Sequence, residues 1–154
     1  MKCFVIVVKD NKLSESGFEE LKDSYSKYGH DDGIEKFDAI ELDKVDNFAS
    51  ANGLTWNYPW EGSMIDIQTG LTKTAYPTAD KRRRISCFLG HWYLWQKCVK
   101  LDETILISEH DSKFIKKLPS DRTFKNCQYD IIGINDPSMA CLLYTSPSPR
   151  DLAQ

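Results

Sequence analysis

The sequence predicts an α/β fold built on one mostly parallel sheet that is flanked by helices. Residues 3–8 form a continuous apolar, β-branched run, which is typical of a strand buried on both faces. A helical pattern and a second strand at residues 34–42 follow, and this order is a βαβ unit with parallel strands. A further helix and strand, at residues 85–99 and 104–108, extend the same pattern.

The composition is that of an ordinary globular domain. The chain has 154 residues, of which 41% are hydrophobic and 28% charged, and its formal charge is −3. This slight negative charge argues against a nucleic-acid binder. No apolar run reaches the roughly 18 residues of a membrane helix, so we expect no membrane span. The five cysteines have no C-x-x-C spacing, and without a secretion signal they predict reduced thiols in the cytoplasm.

The first predicted helix has recognisable ends. Ser16 and Glu19 have the spacing of a capping box, in which each side chain satisfies a free backbone N–H group of the first turn. Gly29 is predicted to end the helix. The apolar residues between these ends fall at helical spacing: Phe18, Leu21 and Tyr25.

Residues 43–80 are the least regular part of the chain, and we interpret them as an irregular insertion in the domain. They contain an aromatic cluster at residues 56–60, with the sequence WNYPW. Two interpretations stay open. The aromatic side chains pack on the domain, or they form a flexible wall of a sugar site, because an aromatic face stacks well on a pyranose ring.

Residues 85–99 form the clearest helix. Its apolar side chains fall on one wide stripe that predicts a buried face and makes both tryptophans structural: Ile85, Phe88, Leu89, Trp92, Trp95 and Val99. The four cations at residues 81–84 lie where the helix dipole favours anions. Either a solvated basic face or a phosphate site at the helix N-terminus explains them.

The strand at residues 104–108 ends in an acidic triplet. In open α/β sheets, ligands bind at the carboxyl ends of the strands. If the extended conformation continues through His110, then Glu109 and Asp111 point the same way, and a divalent cation relieves their repulsion. Carboxylate oxygens with few other protein donors suit Mg²⁺ or Mn²⁺ bridging to substrate phosphates.

The C-terminal part divides into a native and a foreign segment. A short helix or turn is expected at residues 112–118, and a last strand at residues 129–134. Residues 141–151, CLLYTSPSPRD, back-translate to a sequence that resembles a sequencing-library adapter, so we expect residues 141–154 to be a non-native tail. Residues 1–140 are then a partial domain, incomplete at the C-terminus. A Ser/Pro-rich disordered tail is the alternative.

Residues 84–119 resemble glycosyltransferase family 25, which includes lipooligosaccharide galactosyltransferases and viral relatives. That family has a Gly-Cys-x-x-Ser-His helix, a Trp one turn later and a strand ending in Glu-Asp-Asp. Here SCFLGH at residues 86–91 corresponds to the helix motif, Trp95 to the tryptophan and ISEHD at residues 107–111 to the strand end. His110 replaces the usual Asp. The first strand, its helix and the FDA sequence at residues 37–39 are also similar to the family.

The resemblance implies a GT-A-like (Rossmann-like) fold and transfer of a hexose, galactose or glucose, from a nucleoside-diphosphate sugar donor. The acceptor would be a glycan or lipooligosaccharide. A Mn²⁺ or Mg²⁺ ion at Glu109 and Asp111 would neutralise the leaving diphosphate, assisted by Arg84 and Lys81. Because we expect a partial domain, we also expect the 154-residue chain to bind the donor weakly and to transfer no sugar.

Further roles follow from the resemblance. Asp38 is expected to contact the base or ribose of the donor, and Lys9 lies in the first loop, where the family usually has an arginine pair. His91 is expected to orient the acidic strand end rather than to perform chemistry. Asp136 is the late candidate for the catalytic base.

Two other classes stay open from the residues alone. A non-catalytic sugar- or nucleotide-binding module would share the same sheet edge. A nucleotidyltransferase would use similar carboxylates and release pyrophosphate, but the chain has no Gly-rich phosphate loop.

Overall fold

The computed structural model describes residues 1–28, 33–56, 62–75, 78–126 and 128–134 of the chain. The chain divides into two compact units, Met1–Leu118 and Pro119–Gln154. In the first unit the elements are, in chain order, β1 (Lys2–Val7), α1 (Lys12–Tyr28), β2 (Ile34–Asp38), a 3-10 helix (Leu42–Lys44), α2 (Val45–Ala51), β3 (Ser63–Ile65), β4 (Thr72–Thr74), α3 (Arg82–Leu101) and β5 (Ile105–Glu109).

A parallel three-stranded sheet with the order β2-β1-β5 forms the centre of this unit. All residues of β1 after Lys2 are buried, as the uninterrupted apolar run predicts. Three of the predicted strands therefore form the sheet, and helices flank it. The α/β fold class that the sequence predicts is confirmed.

The side chains on the two faces of β1 pack against different helices. Cys3, Val5 and Val7 pack in one cluster with Leu21 and Tyr25 of α1. Phe4 and Ile6 pack on the other face with Leu94 of α3. Because side chains alternate along a strand, one strand organises both halves of the core.

The first helix begins earlier than the sequence predicts. It starts at Lys12, and the Asn11 side chain accepts hydrogen bonds from the backbone N–H groups of Leu13 (3.0 Å) and Ser14 (3.1 Å). The prediction of a capping box at Ser16 and Glu19 is therefore wrong, because Asn11 caps the helix one turn earlier. The predicted end at Gly29 lies outside the described residues.

Gly17 allows α1 to approach the end of β5. A Cβ atom at this position would lie 2.5 Å from the carbonyl oxygen of His110. The backbone N–H of His110 also donates to the carbonyl of Ile6 (3.1 Å). The backbone of the acidic triplet is thus held between α1 and β1.

The buried face of α3 differs from the predicted apolar stripe. Phe88 and Val99 are 39% and 75% exposed. Five residues of α3 are buried, and two of them, a serine and a glycine, are small: Ile85, Ser86, Leu89, Gly90 and Leu94. A Cβ at Gly90 would be 3.4 Å from the Ile6 side chain, so the helix crosses the sheet closely at this glycine. The stripe prediction is confirmed for Ile85 and Leu89 and wrong for Phe88 and Val99, because it weighed apolar size and left small residues out.

The stretch at residues 43–80 has more structure than predicted. β2 ends at Asp38 and not at residue 42, and the chain then forms α2 and an antiparallel hairpin of β3 and β4. Val45 of α2 is buried in a cluster with Ile85 and Leu89, on which Trp56 packs. For Trp56, packing on the domain is what the structure shows, whereas residues 57–61 lie outside the described part.

The second unit contains α4 (Asp121–Lys125). The predicted strand at residues 129–134 is wrong, since this stretch forms no strand and its residues are exposed. Residues 112–118 form no helix, only turns and irregular chain. The non-native tail at residues 141–154 lies outside the described residues. Among the helices that the structure describes, none is long and apolar enough to cross a membrane.

The two helix glycines give a matched pair of stability predictions. Gly17→Ala should lower the free energy of unfolding by about 1–3 kcal/mol, because the new methyl group collides with a backbone carbonyl that cannot move freely. Gly90→Ala should be neutral or stabilising, because its methyl would make ordinary contacts and alanine favours helices. Urea unfolding measures both values, and equal effects would contradict the close approach at Gly17.

Candidate active site at the carboxyl edge of the sheet

The strand register brings three chain segments to one edge. Val7 pairs with Asp38 of β2, and Ile6 pairs with Glu109 of β5, so the carboxyl ends of all three strands are nearly level. This edge is where open α/β sheets bind ligands. The loop after β1 adds Lys9 and Asp10, and Asp10 has a left-handed backbone (φ 57°), a conformation that is uncommon for non-glycine residues.

Glu109 is held from the neighbouring helix. His91 Nε2 lies 3.1 Å from Glu109 Oε1. Since an ionised carboxylate only accepts, this nitrogen carries the proton. The hydrogen bond from His91 holds the pKa of Glu109 below its usual range, while burial opposes the shift. The structure thus brings His91 and Glu109 together, and it leaves 46% of the glutamate side chain exposed.

Asp111 lies beyond the end of β5, in a turn that begins at His110. Burial raises the pKa of the Cys87 thiol on α3, and the charges of Glu109 and Asp111 raise it further, so both carboxylates are near this helix. His110 lies against Gly17 of α1, on the other side. The extended conformation on which the predicted alignment of Glu109 and Asp111 depends therefore ends at Glu109, and the charge of His110 helps to lower the pKa of the Glu109 carboxyl group.

An open cavity of about 350 Å³ lies at the ends of β1 and β2. It brings Lys9 and Asp38 together, as the donor-site prediction requires. Its remaining lining residues come from the segment that the sequence left irregular: Ala39, Ile40, Glu41, Lys44 and Phe48. The sequence analysis did not identify Glu41, Lys44 and Phe48 as site residues. The helical spacing of Val45 and Phe48 was a signal of α2 that could have found them.

The carboxylate of Asp80 binds at the N-terminus of α3. The Asp80 carboxylate accepts from the backbone N–H of Arg82 (2.9 Å) and pairs with its guanidinium (2.9 Å). The Arg82 hydrogen bond holds the pKa of Asp80 below its usual range. This counts against the phosphate interpretation of the basic run. Arg84 Nε lies 3.5 Å from the Thr78 hydroxyl, in the same region.

Two predicted roles, the metal site and the catalytic base, receive no direct support from the described residues. In the described part of the chain, no three His, Cys, Asp or Glu side chains are grouped so as to hold a metal ion. A divalent ion at Glu109 and Asp111 would therefore need water or substrate oxygens for the rest of its shell. Asp136, the candidate catalytic base, lies outside the described residues.

The His91–Glu109 pair predicts a pH effect. His91→Phe should raise the pKa of Glu109 towards its usual value, because the ring stays and its hydrogen bond is lost. In the native protein the folded-state pKa is the lower one, so the pair stabilises the fold at neutral pH. This contribution is lost as the pH falls below the usual pKa of a glutamate.

Carboxyl carbon shifts followed by NMR during a pH titration measure this change. Asp80 is the internal control, because Arg82 holds its low pKa and the substitution does not touch that pair. A Glu109 pKa that is the same in both proteins would contradict the assigned hydrogen bond.

The comparisons with known proteins agree with this geometry. The family model described as glycosyltransferase family 25 (LPS biosynthesis protein) matches residues 15–132, well over half of the chain. No curated protein and no solved structure matches significantly. The matched segment contains α1 from Glu15 onwards, β2, α3 and the whole acidic strand end. The chain therefore belongs to glycosyltransferase family 25.

Proposed function

We propose that this glycosyltransferase transfers a hexose, galactose or glucose, from a nucleoside-diphosphate sugar to a hydroxyl group of a glycan or lipooligosaccharide, assisted by Mn²⁺ or Mg²⁺. The observation that carries the proposal is the shared edge of the sheet. The cavity with Lys9 and Asp38 and the carboxylates Glu109 and Asp111 all lie at the carboxyl ends of neighbouring strands.

The cavity at β1 and β2 has the chemistry of a nucleotide site. The Asp38 carboxylate can accept hydrogen bonds from ribose hydroxyls or from a base, and the Lys9 ammonium attracts a diphosphate. Phe48 adds a flat apolar wall for the base. A volume of about 350 Å³ is within the range of small-molecule sites, roughly 300–1,000 Å³.

The acidic edge suits a hard divalent ion that is shared with the substrate. The hydrogen bond from His91 uses only Oε1 of Glu109, and Asp111, two residues later, is exposed. Such an ion would supply positive charge for the diphosphate that leaves. His91 fixes the rotamer of Glu109, and its proton stays on Nε2, so we assign it a positioning role.

The transfer itself needs few groups from the described chain. The acceptor hydroxyl forms a bond to the anomeric carbon, the bond from that carbon to the diphosphate oxygen breaks, and the hydroxyl proton passes to a base. Asp136 is the base that we propose. Arg84 and Lys81 would add charge on the diphosphate side, although Asp80 already compensates part of this basic region.

The outer acids should control metal-dependent nucleotide binding. Glu109→Gln and Asp111→Asn should each weaken Mn²⁺-dependent binding of a nucleoside diphosphate, because each removes one charged ligand while keeping its shape. His110→Asp should retain binding, since position 110 faces α1.

Calorimetric titration with UDP and Mn²⁺ makes the comparison. Glu103→Gln is the matched control, because Glu103 precedes β5 at the opposite end of the strand and pairs with Lys2. Unchanged UDP affinity in both acid variants would remove the metal assignment.

The nucleotide product tests the reaction class. Any donor turnover should release a nucleoside diphosphate, because the bond that breaks is the one between the sugar and the diphosphate. Chromatography of the nucleotide products identifies what is released. Pyrophosphate as the product would contradict the proposal and indicate a nucleotidyltransferase.

A further inference from the structure

A row of aromatic rings lies on the outward face of α3. Phe88 contacts Trp56 and Trp95 edge-to-face, with centroid distances of 6.0 and 6.2 Å. The His91 ring lies 6.3 Å from Trp95 and continues the row. We call Trp56, Phe88 and Trp95 the ring row.

The ring row is not explained by packing of the helix on the sheet. The buried face of α3 is formed by other residues, among them Gly90 and Leu94. Phe88, in the middle of the row, is 39% exposed. Trp56 and Trp95 are half-buried, and Trp56 also packs on a buried core cluster. Contiguous aromatic groups that keep part of their surface exposed often mark a binding surface.

His91 connects the ring row to the acidic edge. One side of its imidazole contacts Trp95, and its Nε2 holds Glu109. The row therefore ends where the carboxylates begin. Neighbouring rings of the row stand at 69° and 81° to each other, so each offers its own face and not one continuous plane. An aromatic face beside charged and hydrogen-bonding groups matches a sugar ring, whose C–H face is apolar and whose hydroxyl groups project from the rim.

The wall of the donor cavity also contacts α3. Its wall residue Phe48 contacts Trp92 and Tyr93, at 6.1 and 6.3 Å. Trp92 lies four residues after Phe88 and three residues before Trp95, so it is on the same face of the helix as the ring row. The ring row and the wall of the donor cavity are therefore neighbours on the surface of α3.

We propose that the ring row is an acceptor subsite, on which a hexose ring of the glycan stacks so that its hydroxyl groups extend towards the acidic edge. This inference rests on the proposed function, since it takes the acidic edge as the place of transfer. A second copy of the chain is the competing occupant of such a row, and the test includes it.

The probes are the disaccharides lactose and cellobiose, and NMR titration of the full 154-residue chain measures their affinity. At least one should bind. Phe88→Leu and Trp95→Leu should each weaken that binding about three- to tenfold, because the aromatic face is lost while apolar volume remains. Tyr93→Leu is the matched control, since Tyr93 is an aromatic residue of the same helix, 44% exposed, outside the row. It should change the affinity less than twofold.

UDP binding with Mn²⁺ on the same samples separates the two proposals. If wild type fails to bind UDP but its sugar binding depends on Phe88, the donor proposal fails and the subsite stands. If UDP binds while neither disaccharide does, or if Phe88→Leu binds sugar like wild type, the subsite is overturned. Light scattering that shows a dimer in the wild type and a monomer in Phe88→Leu, with no effect on sugar binding, would assign the row to a contact between copies.

Discussion

The pairing of β1 on both edges determines where everything else lies. The strand is buried on both faces, so its backbone groups must find partners within the sheet, and β2 and β5 supply them in parallel register. That register puts Asp38 beside Val7 and Glu109 beside Ile6. A slip of one residue would turn every side chain of a strand to the other face, so the apolar pattern of β1 also fixes which acids reach the edge.

Backbone contacts extend this constraint beyond the last residue of β5. The His110 N–H donates to Ile6, and its carbonyl lies where Gly17 leaves room. The Ser112 N–H then closes a turn on the Glu109 carbonyl (3.0 Å), and the Phe114 N–H donates to the Ser24 hydroxyl (3.1 Å). The backbone of the acidic triplet is therefore held by β1 and α1 through main-chain atoms, while the Glu109 carboxylate contacts His91 of α3.

The sequence predicted what depends on strand period and apolarity, and it failed where single contacts decide. β1 was recognisable because a doubly buried strand shows as an unbroken apolar run. β2 was recognisable from the alternation of apolar and polar residues, and β5 from its run of β-forming residues. The Asn11 cap was missed because Asn11 and Ser16 are both residue types that cap helices, and only the loop geometry decides which of them does so. Residues 129–134 have the composition of a strand but no sheet edge pairs with them in the described chain. In the site, the spacing of Glu109 and Asp111 assumed an extended chain, but the strand ends at Glu109 and a turn follows. Phe48 and Asp80 were missed because they belong to the stretch that the sequence left irregular.

Helix α3 shows why apolarity alone misplaces a face. Its closest approach to the sheet uses Gly90 and Ser86, and the Ser86 hydroxyl donates to the carbonyl of Ile40 (2.5 Å). Close packing favours small side chains, so larger aromatic ones are displaced to the flanks and to the outside. One flank then meets Phe37 and Phe48 through Tyr93, beside the donor cavity, and the other brings His91 to Glu109. The small inward residues that a stripe analysis ignores are what allow this helix to contribute to both sides of the acidic edge.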